Sequence, residues 1–125
     1  MKKLLALGLG LAVLAGCRSA AKDITYTQIS QQKAKEMMDS GDEMIILDVR
    51  TLDEYNNSHI PNALCIPLDE LEKRALNELS DQSQMILVYC RSGVRSKKAA
   101  DILVKLKYTN VYEFGGIITW PYEVE

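Results

Sequence analysis

Two short apolar runs constrain the fold of this chain more than any other feature. Residues 44–49 and 85–89 are apolar throughout, apart from Asp48 near the end of the first run. Strands buried on both faces have this composition, and they occur mainly in parallel sheets that are covered by helices. Amphipathic stretches separate the runs, as expected for helices that connect parallel strands. The sequence therefore predicts an α/β fold with about five mostly parallel strands and helices on both faces of the sheet.

The remaining elements follow from periodicity and from capping residues. Ser30 is a suitable N-cap for one helix, and Thr51 with Glu54 has the spacing of a capping box for a second. Apolar residues at helical spacing indicate two more helices. Together these patterns predict strands at residues 24–26, 63–66 and 111–114, and helices at residues 30–40, 51–57, 68–79 and 96–106.

The start of the chain has the layout of a secretory signal. Two lysines follow Met1, and residues 4–15 contain only Leu, Ala, Gly and Val, a run too short to span a bilayer comfortably as a helix. Residues 14–17, Leu-Ala-Gly-Cys, resemble the lipobox of bacterial lipoproteins, in which the cysteine is acylated and the chain is cut just before it. The predicted organisation is a lipoprotein-type signal peptide (1–16), a short tether (17–22) and one domain (23–125).

An acylated Cys17 would bind membrane lipid durably through its buried acyl chains. We therefore expect an exported domain, anchored at a bacterial membrane and facing the periplasm or the cell exterior. The alternative is an ordinary signal peptide in which Cys17 is incidental.

Charge and cysteine content narrow the chemistry of the domain. Lys and Arg total 15 against 17 Asp and Glu, and no basic tract indicates a nucleic-acid partner. Cys17, Cys65 and Cys90 are too scattered for a disulfide framework, and with His59 they show no zinc-ligand spacing. We expect no metal and no cofactor.

One loop combines the features of an anion site. It contains Cys90, Arg91, Ser92, Gly93, Val94, Arg95 and Ser96, and it lies between a predicted buried strand and the start of a helix. Backbone N–H groups and the helix dipole favour an anion there, and nearby arginines also lower the pKa of a cysteine. The loop is predicted to form an open cup around a reactive thiolate. The alternative is a strand-to-helix turn with a buried structural cysteine and two solvated arginines.

The residues from Asp48 to Trp120 resemble the rhodanese homology family. Asp48-Val49-Arg50 with Glu54-Tyr55 is similar to the opening motif of that family, and His59-Ile60-Pro61 with Ala63 and Ile66-Pro67 is similar to the second. The loop from Cys90 to Ser96 resembles the active-site loop of single-domain sulfurtransferases, and Gly115-Gly116 with Trp120 resembles the closing motif. Ser58 and Asn62 depart from the pattern, because the family usually has glycine at both positions.

The resemblance implies a rhodanese-like fold and a transfer of sulfur in two half-reactions. Cys90 would take the outer sulfur of a small anionic donor such as thiosulfate, hold it as a persulfide, and pass it to a thiol, cyanide or protein acceptor. The amides of the loop would hold the persulfide, while Arg91 and Arg95 would attract the donor. Of the two arginines, Arg95 has the better structural claim. We expect a monomer.

Several residues have competing interpretations. Asp48 and Arg50 either tune the loop or hold the sheet edge through an ion pair, and the second is favoured. We expect His59 and Trp120 to be structural and Cys65 to be a small buried hydrophobe, with a resolving role for Cys65 as the alternative.

Two other functions remain open. A cysteine phosphatase or arsenate reductase would need a longer loop between its cysteine and arginine. A sulfur carrier or sensor without catalytic turnover would use the same loop.

Overall fold

The computed structural model describes residues 24–125. The strands are β1 (Thr27–Gln28), β2 (Ile45–Asp48), β3 (Leu64–Cys65), β4 (Ile86–Cys90) and β5 (Val111–Gly116). The helices are α1 (Gln31–Asp39), α2 (Leu52–Asn57), α3 (Leu68–Glu78) and α4 (Val94–Lys105), and a 3-10 turn follows at Ile117–Thr119. The predicted signal peptide, the tether and Cys17 lie outside the described residues. Within residues 24–125, no helix is long and apolar enough to cross a bilayer.

The five strands form one sheet in the order β1-β5-β4-β2-β3, and all four pairs are parallel. The predicted α/β fold is confirmed. Strand β4 is central and buried along its whole length, which explains why its sequence is an unbroken apolar run. The carboxyl ends of β2, β4 and β5 therefore meet at one edge, where ligands bind in sheets of this kind.

Helices cover both faces of the sheet, as the amphipathic patterns predict. On one face, α3 and α4 contribute Leu71 and Leu103 to a core with Val88. On the other face, Ala34 of α1 and Tyr55 of α2 pack with Tyr89. Because successive side chains of a strand point to opposite faces, the neighbouring residues of β4 serve two different core layers.

The predicted helix caps are confirmed, whereas the predicted boundaries of β1 and α4 are wrong. Ser30 caps α1 and Thr51 with Glu54 forms the predicted capping box of α2. Strand β1, however, lies at Thr27–Gln28 rather than at residues 24–26, because its partner β5 sets the register. Helix α4 begins at Val94 rather than at Ser96, since Gly93 adopts a left-handed backbone (φ 103°) and ends the loop earlier.

The two departures from the family pattern have different structural meanings. Asn62 has φ 70°, a left-handed conformation that asparagine tolerates well. Ser58 has φ −169°, which is extended backbone open to any residue. The turn around His59-Ile60-Pro61 is therefore compatible with both substitutions.

Candidate active site

Cys90 is the last residue of β4, at the carboxyl edge of the sheet. Strand β4 follows β5 in regular register as far as Val88, and an irregularity then shifts the pairing so that Cys90 lies opposite Gly116. Irregular pairing of this kind can redirect a side chain at the end of a strand. Here it leads into the loop that turns directly into α4.

Polar groups surround the sulfur of Cys90. The N–H of Gly93 donates to Sγ at 3.0 Å, and the hydroxyl Oγ of Ser96 lies 3.5 Å from Sγ. Burial raises the pKa of the Cys90 thiol, but hydrogen bonds from Ser96, Gly93 and Ser92 outweigh this effect and bring the pKa below its ordinary value. The left-handed backbone of Gly93 directs its amide inward, at little steric cost because glycine has no Cβ.

The loop closes over the sulfur, whereas the sequence predicts an open cup. Cys90 is only 1% exposed and belongs to the core cluster on the α3–α4 side. Its Sγ nevertheless faces amides and a hydroxyl rather than only apolar groups. The solvent-facing side of the loop is formed by Arg91, Ser92 and Val94, which are exposed.

The closing glycine pair, Gly115-Gly116, packs against the backbone of the Cys90 loop. A Cβ on Gly116 would overlap the carbonyl group of Arg91, so only glycine permits this approach of β5 to the loop. The carbonyl oxygen of Arg91 also accepts a hydrogen bond from the N–H of Ile118 at 3.1 Å. The closing motif thus fixes the position of the loop backbone at Arg91, next to Cys90.

The two arginines of the loop have different surroundings. Arg95 donates two hydrogen bonds to the carboxylate of Glu54, at 2.7 and 3.0 Å, and this contact holds the pKa of Glu54 down at about 2. The side chain of Arg91 is exposed and makes no hydrogen bond or ion pair with any residue in 24–125. The charge of Arg95 is therefore paired with a carboxylate, whereas that of Arg91 is not, although Arg95 lies close enough to Cys90 to interact with it electrostatically.

Lys97 is a cation that the sequence reading missed. Its Nζ atom lies 3.5 Å from the position that a Cβ on Gly93 would occupy, so its ammonium group stands beside the loop. The sequence feature that could have indicated Lys97 is its position in the first turn of α4, next to the loop. Arg91 and Lys97 are therefore two exposed cations at the loop that form no ion pair within residues 24–125.

Glu113 is a second residue that the sequence reading missed. It lies in the middle of β5 and is buried, and its carboxylate accepts a hydrogen bond from Ser96 Oγ at 2.5 Å. The same Ser96 hydroxyl lies next to Cys90 Sγ. The signal was one acid among the apolar residues of this strand, at Val-Tyr-Glu-Phe, because a buried carboxylate needs a specific reason.

Asp48 and Arg50 form a separate buried cluster at the end of β2. Arg50 donates to both carboxylate oxygens of Asp48, with the shortest contact at 2.7 Å, and it also donates to the carbonyl oxygen of Ser58. The hydroxyl of Tyr89 donates to Asp48 at 2.6 Å. These contacts tie β2, β4 and the turn after α2 together, which is a structural arrangement.

Cys65 lies in this second cluster and not beside Cys90. Burial, with Asp48 adding to it, raises the pKa of the Cys65 thiol to about 11. In the sheet register, Cys65 lies opposite Asp48 of the neighbouring strand, and Asp48 lies opposite Tyr89 of β4. Two strand spacings, roughly 10 Å, therefore separate Cys65 from Tyr89, the residue before Cys90. A disulfide needs Cα atoms within about 7 Å. The register therefore argues against a direct Cys65–Cys90 bond.

His59 and Trp120 make packing contacts. The His59 ring stacks on Tyr55 with centroids 3.9 Å apart, and its Nδ1 atom lies 3.0 Å from the carbonyl oxygen of Tyr55. Trp120 is buried beside Phe114 and Tyr122. Among the described residues, no three His, Cys, Asp or Glu side chains group together as metal ligands.

Two cavities lie near the surface of the domain. The larger, about 490 Å³, is lined by residues such as Met44, Ile60 and Trp120 and includes no residue of the Cys90 loop. The smaller, about 350 Å³, lies at the carboxyl edge and is bordered by Leu68 and Arg95. Of these two cavities, both formed by described residues, the smaller is the one next to the loop.

The protein is thus a parallel α/β domain with a cysteine in an amide-lined loop between a central strand and a helix. This geometry favours a thiolate or another anion at the loop. The sequence profile of the rhodanese-like domain matches residues 30–120. The chain belongs to the rhodanese-like domain family.

Curated relatives share this region at moderate identity. The thiosulfate sulfurtransferase GlpE of Coxiella burnetii is 38% identical over 96 residues, which cover 76% of this chain and 87% of that protein. The thiosulfate sulfurtransferase PspE of Escherichia coli is 35% identical over 71 residues, covering 57% of this chain and 68% of that protein. The putative sulfur carrier protein YrkF of Bacillus subtilis is 38% identical over 96 residues, covering 77% of this chain but only 51% of that longer protein.

Solved structures agree with the fold. The rhodanese-like domain of the Anabaena protein Alr3790 superimposes with a TM-score of 0.72 at 29% identity, covering 78% of this chain and 77% of that one. A rhodanese from E. coli solved with anions has a TM-score of 0.62 at 30% identity, covering 66% and 98%. The family and its fold are thus shown by both sequence and structure.

Proposed function

We propose that the protein is a sulfurtransferase that moves a sulfane sulfur from thiosulfate or a similar donor to a thiophilic acceptor, through a persulfide on Cys90. The observation that carries this proposal is the position of Cys90 Sγ at the start of α4. There it accepts a hydrogen bond from the N–H of Gly93 at 3.0 Å. The thiosulfate sulfurtransferases among the relatives support the same reaction.

The first half-reaction forms the persulfide. The Cys90 thiolate attacks the outer sulfur of thiosulfate, an Sγ–S bond forms, and the sulfur–sulfur bond of the donor breaks so that its electron pair leaves with sulfite. The negative charge of the enzyme then lies on the terminal sulfur. The amides of Ser92, Gly93 and Ser96, which lower the pKa of the Cys90 thiol, would stabilise that charge as well.

The surrounding residues have different tasks in this scheme. Arg91 and Lys97 attract the dianionic donor and the departing sulfite, because no described carboxylate neutralises Arg91. Arg95 instead fixes the first turn of α4 through Glu54. We place the sulfur acceptor in the smaller cavity, whose lining includes Val49, Pro67 and Leu68.

The test uses thiosulfate, cyanide and the full chain. We expect thiocyanate to form and intact-mass spectrometry to show one added sulfur on Cys90 after thiosulfate alone. Cys90→Ser should lose both signals, whereas the matched control Cys65→Ser should keep them. Thiocyanate formation that persists in Cys90→Ser would overturn the proposal.

A second candidate is a sulfur carrier that holds the persulfide for a partner without rapid turnover. The near-complete burial of Cys90 favours this candidate, and one relative is named as a putative sulfur carrier. Stoichiometric sulfur uptake by Cys90 without catalytic thiocyanate formation would identify a carrier. A phosphatase is disfavoured by the four residues between Cys90 and Arg95, and we expect weak or no hydrolysis of p-nitrophenyl phosphate.

We also propose that the domain is exported and anchored to membrane lipid through Cys17. This rests on the signal-like run at residues 4–15 and the lipobox-like residues 14–17. In a bacterial host, labelled palmitate should enter the wild-type chain and not Cys17→Ser. Equal labelling of both proteins, or none in either, would contradict the anchor.

A further inference from the structure

A buried carboxylate lies directly behind the reactive sulfur. Glu113 is 2% exposed, and its carboxylate accepts hydrogen bonds from Ser96 Oγ at 2.5 Å, the Gly115 N–H at 2.9 Å and Gln28 Nε2 at 3.3 Å. Unlike Asp48, it forms no ion pair with a cation of the described chain. Its charge is therefore held by neutral donors alone, and nothing in the reaction described above uses it.

Ser96 links this carboxylate to Cys90. Its hydroxyl is fully buried and lies 2.5 Å from Glu113 Oε2 and 3.5 Å from Cys90 Sγ. A hydroxyl carries a single proton, so Ser96 can donate to the carboxylate or to a thiolate, but not to both. The shorter distance assigns the proton to the Glu113 contact while Cys90 is a thiol, and Ser96 Oγ then accepts from the Cys90 S–H. To stabilise a thiolate, the Ser96 hydroxyl has to turn from Glu113 to the sulfur.

Charged groups from several elements face this pair. On the Cys90 side are Arg91 of the loop and Arg95 and Lys97 of α4, with Arg95 already paired to Glu54. On the Glu113 side is Tyr26, which precedes β1 and lies close enough to both Glu113 and Asp101 of α4 to interact with each of them electrostatically. Arg91 and Lys97 are therefore exposed cations at the loop, whereas the Glu113 carboxylate is buried behind it.

We propose that Glu113 is a positioning residue that acts on Cys90 through Ser96: its charge and its hold on the Ser96 hydroxyl disfavour a thiolate in the empty site and favour the persulfide. Two like charges within about 4–6 Å disfavour each other's ionisation. An ionised Glu113 also withdraws from Cys90 the one hydroxyl that would stabilise a thiolate. Both effects weaken once the negative charge moves outward.

Sulfur uptake moves the charge outward, in the step already proposed for Cys90. The Sγ–S bond forms, the bond to sulfite breaks, and the anion shifts from Sγ to the terminal sulfur, farther from Glu113 and closer to the outer cations. Glu113 therefore shifts the balance towards the loaded site. This second half of the inference rests on the proposed function, whereas the first half concerns only the thiol.

The first experiment tests the thiol alone. The full chain is treated with iodoacetamide across a pH series, and alkylation is followed by mass spectrometry on the peptide that contains Cys90. At pH 7 we expect Glu113→Gln to react about tenfold faster than the wild type, which corresponds to a Cys90 pKa lower by about one unit. The control Asp101→Asn removes an exposed carboxylate from the same region and should match the wild type.

Glutamine at position 113 keeps an oxygen that can accept from the Gly115 N–H, so we expect the variant to fold. An unchanged or slower alkylation in Glu113→Gln, with the far-ultraviolet circular dichroism of the wild type, would overturn the proposal. If Glu113→Gln loses the wild-type spectrum, the same measurement is made on Glu113→Asp, for which we expect an alkylation rate between those of the wild type and of a protein without the carboxylate. A wild-type rate in folded Glu113→Asp would then count against it.

The second experiment tests the route through Ser96. The acceleration caused by Glu113→Gln should shrink to less than half in a Ser96→Ala background, which has no hydroxyl to release, and persist in Ser96→Thr, which keeps one. An equal acceleration in both backgrounds would show that Glu113 acts through space rather than through Ser96, and would overturn that part.

The third experiment tests the loaded state. At pH 9, which favours the thiolate because the pKa of Cys90 is lowered, each protein is equilibrated with a fixed ratio of glutathione persulfide to glutathione. Glu113→Gln should hold a severalfold lower ratio of persulfide to free thiolate on Cys90. Equal ratios would contradict the effect on loading, while no persulfide in either protein would instead contradict the proposed function.

Discussion

Two buried anionic sites lie at the same edge of the sheet, one residue apart in strand register, and they are built differently. Asp48 is held by the formal charge of Arg50, with contacts as short as 2.7 Å, and by the Tyr89 hydroxyl. Cys90 is held by backbone amides and by one hydroxyl that it shares with Glu113. The ion pair neutralises its anion, whereas the amides supply only partial charges and leave the sulfur available for chemistry.

The two thiols of the described chain show the consequence. Cys65 beside Asp48 has a pKa raised to about 11, whereas the pKa of Cys90 is lowered by hydrogen bonds from the loop. Both are at the carboxyl ends of strands in one sheet. The difference teaches that the donors which reach the sulfur, more than the depth of burial, decide which cysteine is reactive.

The largest expected effect is on stability, at the Asp48 site. Asp48→Asn removes the charge that neutralises Arg50, and breaking a buried ion pair costs about 3–5 kcal/mol. Denaturant unfolding monitored by Trp120 fluorescence measures this change. Tyr89→Phe removes one hydrogen bond from the same carboxylate and should cost only about 1–2 kcal/mol. Similar stabilities of Asp48→Asn and the wild type would show that the ion pair is not what holds this edge.

The next effect compares the reactivity of the two thiols. At pH 8 a thiol with a pKa of about 11 is roughly 0.1% ionised, and lowering the pH only reduces that fraction. Cys90, with a pKa below the ordinary value, gains thiolate at a lower pH. We expect iodoacetamide to modify Cys90 at least about a hundredfold faster than Cys65, because only the thiolate reacts. Comparable rates at pH 8 would remove the distinction between the two sites.

A smaller effect separates the two arginines of the loop. Arg91→Ala should raise the KM for thiosulfate about tenfold, since it removes an unpaired cation near the donor. Arg95→Ala should change this KM by less than about threefold and act mainly through Glu54 and the start of α4. Steady-state kinetics at low ionic strength test both variants. A larger increase in the KM for thiosulfate in Arg95→Ala than in Arg91→Ala would identify Arg95 as the donor-binding residue.

The smallest effect is the pH dependence of the Glu54 contact. The folded-state pKa of Glu54 is lowered to about 2, so its stabilisation is present above the unfolded value near 4.5 and is lost as the pH falls towards 2. Glu54→Gln should cost about 1 kcal/mol at pH 7, given the partial exposure of the pair. The difference between the two proteins should narrow below pH 4.5 in thermal unfolding, and a constant difference down to pH 2 would contradict this.

The sequence allowed much of the fold and part of the site to be predicted. Strands β2 and β4 were predicted from their apolar runs, and α1 and α2 from their capping residues, because these signals depend on neighbours in sequence. The ends of β1 and the start of α4 were displaced by two or three residues. Those ends depend on pairing with β5 and on the left-handed Gly93, which local periodicity does not encode.

The site divides in the same way. The position of Cys90, after a central strand and before a helix, was written in the order of the residues, since helix termini present unpaired N–H groups wherever they occur. The partner of Arg95, the approach of Glu113 to Ser96 and the closure of the loop by Gly116 were decided only by tertiary structure. Each of them joins segments that lie 17 to 41 residues apart or meet through strand register. A carboxylate becomes an ion-pair partner or a buried neighbour of a thiol only when the sheet brings it there.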